Sequence, residues 1–447
     1  MKAAISFDDL KTFEKHFDKD QANLVAMNAS FKNGISDAAT NYRAHRDNQF
    51  GFSIEIDAGD PCNQQHSGRC WMFASLNVMR LEVMKRLNLG NTELSQNYTL
   101  FYDKLEKANY FLENIIKTAD EPLNGRLVSY LIGPELLGDG GQWDMFRSLV
   151  AKYGVVPKDV MPESFDSSNT ATMNKYLTTK LREYACTLRT MHENGSKDSE
   201  LRKEKEKMMN VIYRMLCIAL GKPPVKFTWE TKDKDGKYVR VENMTPQEFF
   251  EKYVGWNLDE YVTVINASTA DKPYGKTFTV KFLGNVAGGK YPVKYLNLPI
   301  EDLKKLAIAQ LKDGKIVWFG SDVGAFSNSK DALLTLDAFD FQTLFNTDFP
   351  MDKAQRLDYG MSCMTHAMAI TGVDLDKNGK PLRWKVENSW GKESGKDGYC
   401  VMSDEWFSEY TYQILLEKKY LSAKQKKEFE QEPIELEPWD PMGSLAL

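Results

Sequence analysis

Apolar residues recur at three- and four-residue steps after Cys70, at Phe73, Leu76, Met79, Val83, Met84 and Leu87, and predict a helix over 70–89. A second helical run covers 95–118; after a glycine-rich stretch at 133–141, helical spacing resumes over 143–153. From 162 to 221 the chain is charged and helical, and Pro223-Pro224 closes that stretch. The period then shortens. Residues 227–229, 238–241, 262–265 and 278–282 are short β-branched and aromatic runs separated by Gly, Asp and Asn, which predicts strands; 316–319 and 384–387 continue the pattern. Helices first, then a helical insertion, a β-rich patch and a β-rich lobe imply an α+β fold with segregated layers. The expected divisions are an N-terminal segment 1–60, a helical lobe 61–161, an insertion 162–296, a β-rich lobe 297–425 and a C-terminal arm 426–447. Pro433, Pro438 and Pro441 keep that arm from being a helix, so it is expected to be extended. Its Ile434, Leu436, Trp439, Met442 and Leu445 predict that it lies on a protein surface.

Composition adds bounds rather than detail. A chain of 447 residues has ample length for two or three lobes with cores of their own. Its 42% hydrophobic and 27% charged residues are ordinary for a soluble globular protein. No run of apolar residues is long enough to predict a membrane span, and charge enters the first residues too early for a secretory signal. A net charge of −5 argues neither for nor against nucleic acid. Residues 197–240 hold 12 Lys/Arg against 7 Asp/Glu, a weak excess that more often means a solvated face. The six cysteines, at 62, 70, 186, 217, 363 and 400, form no CxxC pair and are too sparse for a disulfide scaffold. Free thiols and a reducing, cytoplasmic setting follow. Cys186 and Cys217 sit in helical apolar patterns, where buried structural thiols are expected. No HExxH, P-loop or dinucleotide fingerprint occurs, so no metal or other cofactor is expected.

One cysteine has chemically suggestive neighbours. A polar loop, Asn63-Gln64-Gln65-His66-Ser67-Gly68-Arg69, delivers Cys70 to the first turn of an apolar helix. Unsatisfied N–H groups and the helix dipole favour thiolate there. Gln64 can supply a side-chain N–H beside the backbone N–H of Cys70, together an oxyanion hole. A thiolate needs an imidazole. His16, His45 and His192 lie in charged stretches, and His66 shares the loop with Cys70. His366, in an apolar strand-like run, reads either as a satisfied core residue or as an aimed base, and alone the core reading is favoured. Asn388 and Trp390, in Glu387-Asn388-Ser389-Trp390-Gly391, change that balance. Asn388 can accept the imidazole N–H and fix its tautomer, and Trp390 can roof the bond.

The motifs NQxxSGRCW, MTHAM and ENSWG resemble the papain superfamily, and specifically its bleomycin hydrolase and aminopeptidase C branch. GGQWDMF, KYGVVPK, WFGSDVG, DEWFSEY and PWDPMG extend the resemblance over nearly the whole chain. It implies a papain-like two-lobe fold, a cysteine peptidase, and a triad of Cys70, His366 and Asn388 with Gln64 in the oxyanion hole. Gly141, after Gly140, matches the glycine whose backbone pairs with bound peptide. Ser67 stands where secreted relatives carry a cysteine, so their disulfide cannot form. The 296-residue separation of His366 from Cys70 exceeds the usual spacing of about 130–150. The insertion accounts for the excess, and in this branch such insertions build a homohexameric ring with active sites facing an inner chamber. Some branch members also bind nucleic acid, which this sequence does not itself support.

The resemblance also implies where peptides are cut. If the arm runs into the non-primed side of the cleft, its end blocks upstream substrate residues and can pair with a free α-amine, so that residues leave from the amino terminus. An endopeptidase with the same triad is the alternative. Ala446 and Leu447 are the residues placed to contact substrate, Leu447 being an extra residue that self-trimming would remove. Intact masses of the active protein and of Cys70→Ser check this: trimming is expected only in the active form, and Leu447 retained in both would overturn it.

Overall fold

The steps that predict a helix over 70–89 produce one, Cys70–Leu87, in the computed structural model of the protein, which describes residues 3–446. Its first eleven residues, Cys70 to Arg80, are all buried, as befits a helix enclosed on every side. Asn88 ends it in a left-handed conformation, φ 53°. The Gln96–Lys117 helix starts where the Ser95 hydroxyl accepts from the Tyr98 N–H, and Trp143–Tyr153 completes the trio. Trp71, Leu100, Phe101, Trp143 and Phe146 form the core of this lobe.

The charged stretch after residue 162 resolves into two long helices, Ala171–Glu193 and Asp198–Leu220, folded back on each other across a turn at Gly195. Leu177, Leu181 and Leu188 of the first meet the same core as Leu201, Met208, Ile212 and Leu216 of the second. Cys186, expected to be a buried thiol, is exposed. The inward face is set by Leu181, Tyr184, Ala185 and Leu188, and one further step around a 3.6-residue helix turns Cys186 outward. Cys217 is half-buried, and all six cysteines are free.

A hairpin, Phe227–Lys232 with Tyr238–Met244, forms a small separate sheet. The following strands do not stay with it. Tyr261–Ile265, Thr277–Val280 and Tyr295–Asn297 are hydrogen-bonded into the large sheet of the β lobe. The division expected at residue 296 therefore falls inside one sheet, because strand pairing joins segments that lie far apart in sequence. Across its centre the strands run Tyr261–Ile265, Thr411–Glu417, Val317–Ser321, His366–Leu375, Pro381–Glu387 and Tyr399–Ser403, each antiparallel to the next.

Period-two alternation decides what each face of this sheet touches. Val317, Phe319, Met368 and Ile370 join a core beneath the Ile300–Lys312 helix with Trp384 and Trp406. Trp318, Ala367 and Ala369 face the other way, into the core shared with Cys70 and Trp71. Small residues at 367 and 369 let the Cys70 helix lie close to the sheet, and Trp318 Nε1 donates to the Trp71 carbonyl at 3.2 Å.

The arm is extended only at first. Ile434–Leu436 adds a parallel strand beside Thr277–Val280, whereas Pro441–Ala446 winds into a 3₁₀ turn. Proline fixes φ near the helical value, so Pro441 suits the start of such a turn. Met442 and Leu445 are buried, and an ion pair from Lys272 to Asp440 at 2.9 Å pins the approach.

Gly154 ends the Trp143–Tyr153 helix at φ 69°, ψ −158°, a region open essentially to glycine alone, and a Cβ there would lie 2.3 Å from the Pro246 carbonyl. Gly154→Ala is expected to lower stability by at least about 1–3 kcal/mol, read from urea unfolding midpoints.

Candidate active site

The two lobes meet where the helix beginning at Cys70 abuts the strand beginning at His366. The Ala367 N–H points at Cys70 Sγ, 3.4 Å away, and both Cys70 and His366 are buried. Arg69 precedes the helix without a side-chain cap, so the first-turn N–H groups are left to the sulfur. Burial nonetheless pushes the Cys70 thiol up to about 11, against the N–H groups of Ala367, Trp71 and Cys70 itself, which favour thiolate. Burial holds the His366 imidazole down at about 4, with the Asn388 hydrogen bond acting in the opposite direction. Neither group charges readily alone. Moving the proton from sulfur to imidazole charges both at once and leaves the buried pair with no net charge, which makes a nucleophile without importing an ion.

Asn388 settles which imidazole nitrogen can take that proton. His366 Nε2 lies 2.8 Å from Asn388 Oδ1, and the Ser389 N–H donates to the same oxygen at 2.8 Å. An oxygen held by a backbone N–H is an acceptor, so neutral His366 carries its proton on Nε2 and has the Nδ1 lone pair free to take a proton. The Trp390 ring lies over the imidazole, with centroids 5.1 Å apart and planes tilted by 39°. Gln64 is buried and clamped. Its Oε1 accepts from Ser389 Oγ at 2.5 Å, its Nε2 donates to the Ser67 carbonyl at 2.5 Å, and its backbone N–H reaches the Ser389 carbonyl at 2.8 Å. One amide hydrogen of Gln64 is thus committed to Ser67, and the second is the one available to an oxyanion.

Gly141 is occupied already. Its N–H donates to the carbonyl of Leu445, in the arm, at 2.9 Å. Ser444 Oγ donates across to the Met364 carbonyl at 2.8 Å, so the arm bridges the strand-like edges of both lobes. A Cβ on Gly141 would overlap the Trp71 ring at 2.5 Å, which explains glycine there. Gly140 turns its carbonyl to Lys107 Nζ at 2.6 Å rather than to the cleft. Ala446 is half-buried at the rim of a cavity of about 310 Å³ walled by Tyr110, Phe111, Tyr130, Phe282 and Leu283. Leu447 lies outside the described residues. The remaining histidines stand apart: His45 pairs with Asp331 and His192 with Asp120, while His16 and His66 are exposed.

A model of the Peptidase C1-like family matches residues 4–443. The chain belongs to this family. Within it, the chain is 48% identical to the aminopeptidase C of Lactobacillus delbrueckii subsp. lactis, over the whole of this chain and 99% of that protein. It is 44% identical to the bleomycin hydrolase of Homo sapiens, over 89% of this chain and 88% of that one. The crystal structure of PepW from Lactobacillus rhamnosis superposes with a TM-score of 0.97 at 49% identity, covering 99% of both chains. The fold is therefore the papain-like α+β fold of this peptidase family.

Several residues that build the site escaped the sequence reading. Glu387, beside Asn388, pairs with buried Arg80 at 2.9 Å and accepts from Asn77 at 2.8 Å; burial lifts its carboxyl to about 7 despite the Arg80 charge. Cys62 is buried and donates to Asn77 Oδ1 at 3.1 Å. Arg69 is fully buried and grips Glu163 with both terminal nitrogens, at 3.1 and 2.9 Å. The partners of Arg69 and Glu387, some ninety to three hundred residues away, leave no local signal. Arg69, Glu387 and Ser389 all stand inside the quoted motifs, and of these the Ser389 hydroxyl was within reach as a partner for Gln64.

The state in which Cys70 and His366 together hold one proton is bounded by protonation of the imidazole below and loss of the last proton above. Alkylation of Cys70 by iodoacetamide is expected to fall as pH drops through about 4 and to show no loss of reactivity through neutral pH. Asn388→Ala removes the bond that raises the imidazole pKa, so the acid limb is expected to move to lower pH.

Proposed function

We propose that the protein is a cysteine aminopeptidase that releases residues from the free amino terminus of peptides. The observation that carries this reading is the Leu445 carbonyl on the Gly141 N–H: the chain's own arm occupies the backbone position that an upstream substrate residue would need. A peptide then enters with little more than its first residue on that side of the cut. The relatives named aminopeptidase C, similar over the full chain, support the same conclusion.

In this reading Cys70 attacks the scissile carbonyl while His366 holds the sulfur's proton. The oxyanion forms between the Cys70 N–H and the free amide hydrogen of Gln64. His366 then protonates the leaving amine, and a thioester of the released residue remains until water, activated by the same imidazole, hydrolyses it. Asn388 keeps the ring in the productive tautomer and Trp390 excludes water from that bond. In the same reading the substrate amine is recognised by a carboxylate at the end of the arm, beyond the described residues.

The proposed setting is the cytoplasm, supported by six free thiols with Cys186 exposed. No helix of the described residues is long and apolar enough to cross a membrane. A homohexamer is proposed as well. The helices Phe7–Lys19 and Gln21–Asn33 bury none of their residues, and Phe7, Val25 and Phe31 are 70% exposed or more, apolar surface that copies of the chain can cover. Nucleic acid gains little support: of the basic residues at 197–240, Arg202 and Lys205 pair with Glu113, Lys207 with Glu204 and Arg240 with Glu230.

Comparing aminoacyl reporters with free and acetylated amines tests the reading. A charge-assisted contact is worth about 1.5–3 kcal/mol, so kcat/KM for the free amine is expected to exceed that for the blocked one by roughly tenfold to a hundredfold. Deleting 444–447 is expected to erase that preference and open internal cleavage. Equal rates on both reporters with the intact chain would indicate an endopeptidase, and Cys70→Ala is expected to abolish both.

A further inference from the structure

Asp139 has no place in the reaction described above, yet its carboxylate gathers three separated parts of the chain. Oδ2 accepts from the Gly68 N–H at 2.9 Å and from the Thr170 hydroxyl at 2.5 Å. Oδ1 accepts from Asn174 Nδ2 and from the Lys104 ammonium, each at 2.7 Å. Gly68 lies in the loop two residues before Cys70, and Lys104 comes from the Gln96–Lys117 helix of the helical lobe. Thr170 and Asn174 belong to the start of the Ala171–Glu193 helix in the insertion. The Asp139 carbonyl meanwhile takes Trp71 Nε1 at 2.7 Å, and the chain proceeds directly to Gly141 and its bond with the arm.

A simple structural ion pair would need only Lys104, whose side chain is fully buried. Here the remaining lone pairs are spent on a backbone N–H of the Cys70 loop and on two donors from the insertion. The loop has no covalent tie, since Ser67 stands where a disulfide would begin, and a Cβ on Gly68 would sit 3.0 Å from the Asp139 Cβ. Burial alone would raise the Asp139 carboxyl; the Lys104 charge and the bonds from Lys104, Thr170 and Asn174 overcome it and hold the group well below the usual carboxylate range. It is an anion whenever the protein is folded near neutrality.

We propose that Asp139 is a positioning residue that couples the first insertion helix to the loop carrying Cys70, and so keeps the sulfur in register with His366. The proposal rests on the assignment of Cys70 and His366 as the reacting pair. Its consequence is that donors on the insertion, Thr170 and Asn174, set the reactivity of a cysteine they do not touch.

The test replaces those donors and leaves Gly68 and Lys104 intact. In Thr170→Val/Asn174→Ala, kcat on the free-amine reporter and the alkylation rate of Cys70 are both expected to fall roughly tenfold to a hundredfold, since small misplacements cost that much, with KM little changed. Thr170→Ser, which keeps the hydroxyl, is expected to retain the wild-type rates. Asp139→Asn, close in size, serves as the second variant and is expected to show the same split between kcat and KM. Unchanged kcat and alkylation per folded molecule, with only a lower urea midpoint, would reduce the cluster to a structural brace and overturn the proposal. If alkylation slows in the variants while wild-type protein cleaves no reporter, the coupling stands and the peptidase reading fails.

Discussion

A thiol and an imidazole buried where two lobes meet each resist charging alone near neutral pH, and much of the architecture serves to hold them together. Burial opposes each charge separately, at Cys70 and at His366, while their mutual proton transfer is neutral overall. The cost is geometric. Sulfur and imidazole come from different lobes, so a helix terminus and a strand terminus must be fixed against each other. Alanines at 367 and 369 permit the approach, the Trp318 bond to the Trp71 carbonyl ties the lobes, and the Arg80–Glu387 pair anchors the end of the strand that leads into Asn388.

Breaking that last pair would be more damaging than its net worth suggests. Glu387 has one oxygen without a partner and Arg80 has an unpaired Nε, so neither partner is easily left alone in the interior. Asn77 and Cys62 complete the cluster, linking the nucleophile helix to the loop before Gln64. The oxyanion side and the imidazole side of the cleft therefore share one buried foundation.

Periodicity located the elements that carry the chemistry because each is local. The helix at Cys70 and the strand before Asn388 declare themselves by spacing, and the helix over 143–153 appears with the same bounds in the structure. Cys186 shows the limit of that reasoning: an apolar neighbourhood does not say which side of a helix a residue takes. The strands between 261 and 297 show another, since a short β-branched run does not reveal its partner. Of the candidate site, Cys70, His366, Asn388 and Gln64 were named from motif and residue chemistry, and the structure buries all four. The polar clusters around Glu387, Arg69 and Asp139 were not, being made of ordinary charged residues that acquire meaning only when folding removes water from them.

The occupied Gly141 N–H has a further consequence for the function proposed here. The arm is a tethered competitor, present at an effective concentration that no free peptide normally reaches. A peptide needing that hydrogen bond must displace a ligand that dilution cannot remove, whereas one needing only the space beyond it meets no competitor. Selectivity for chain ends is then a matter of unequal competition rather than of a rigid wall. Its stringency is set by the anchors that hold the arm, Lys272 on Asp440 and Ser444 on the Met364 carbonyl, remote from the bond being cut.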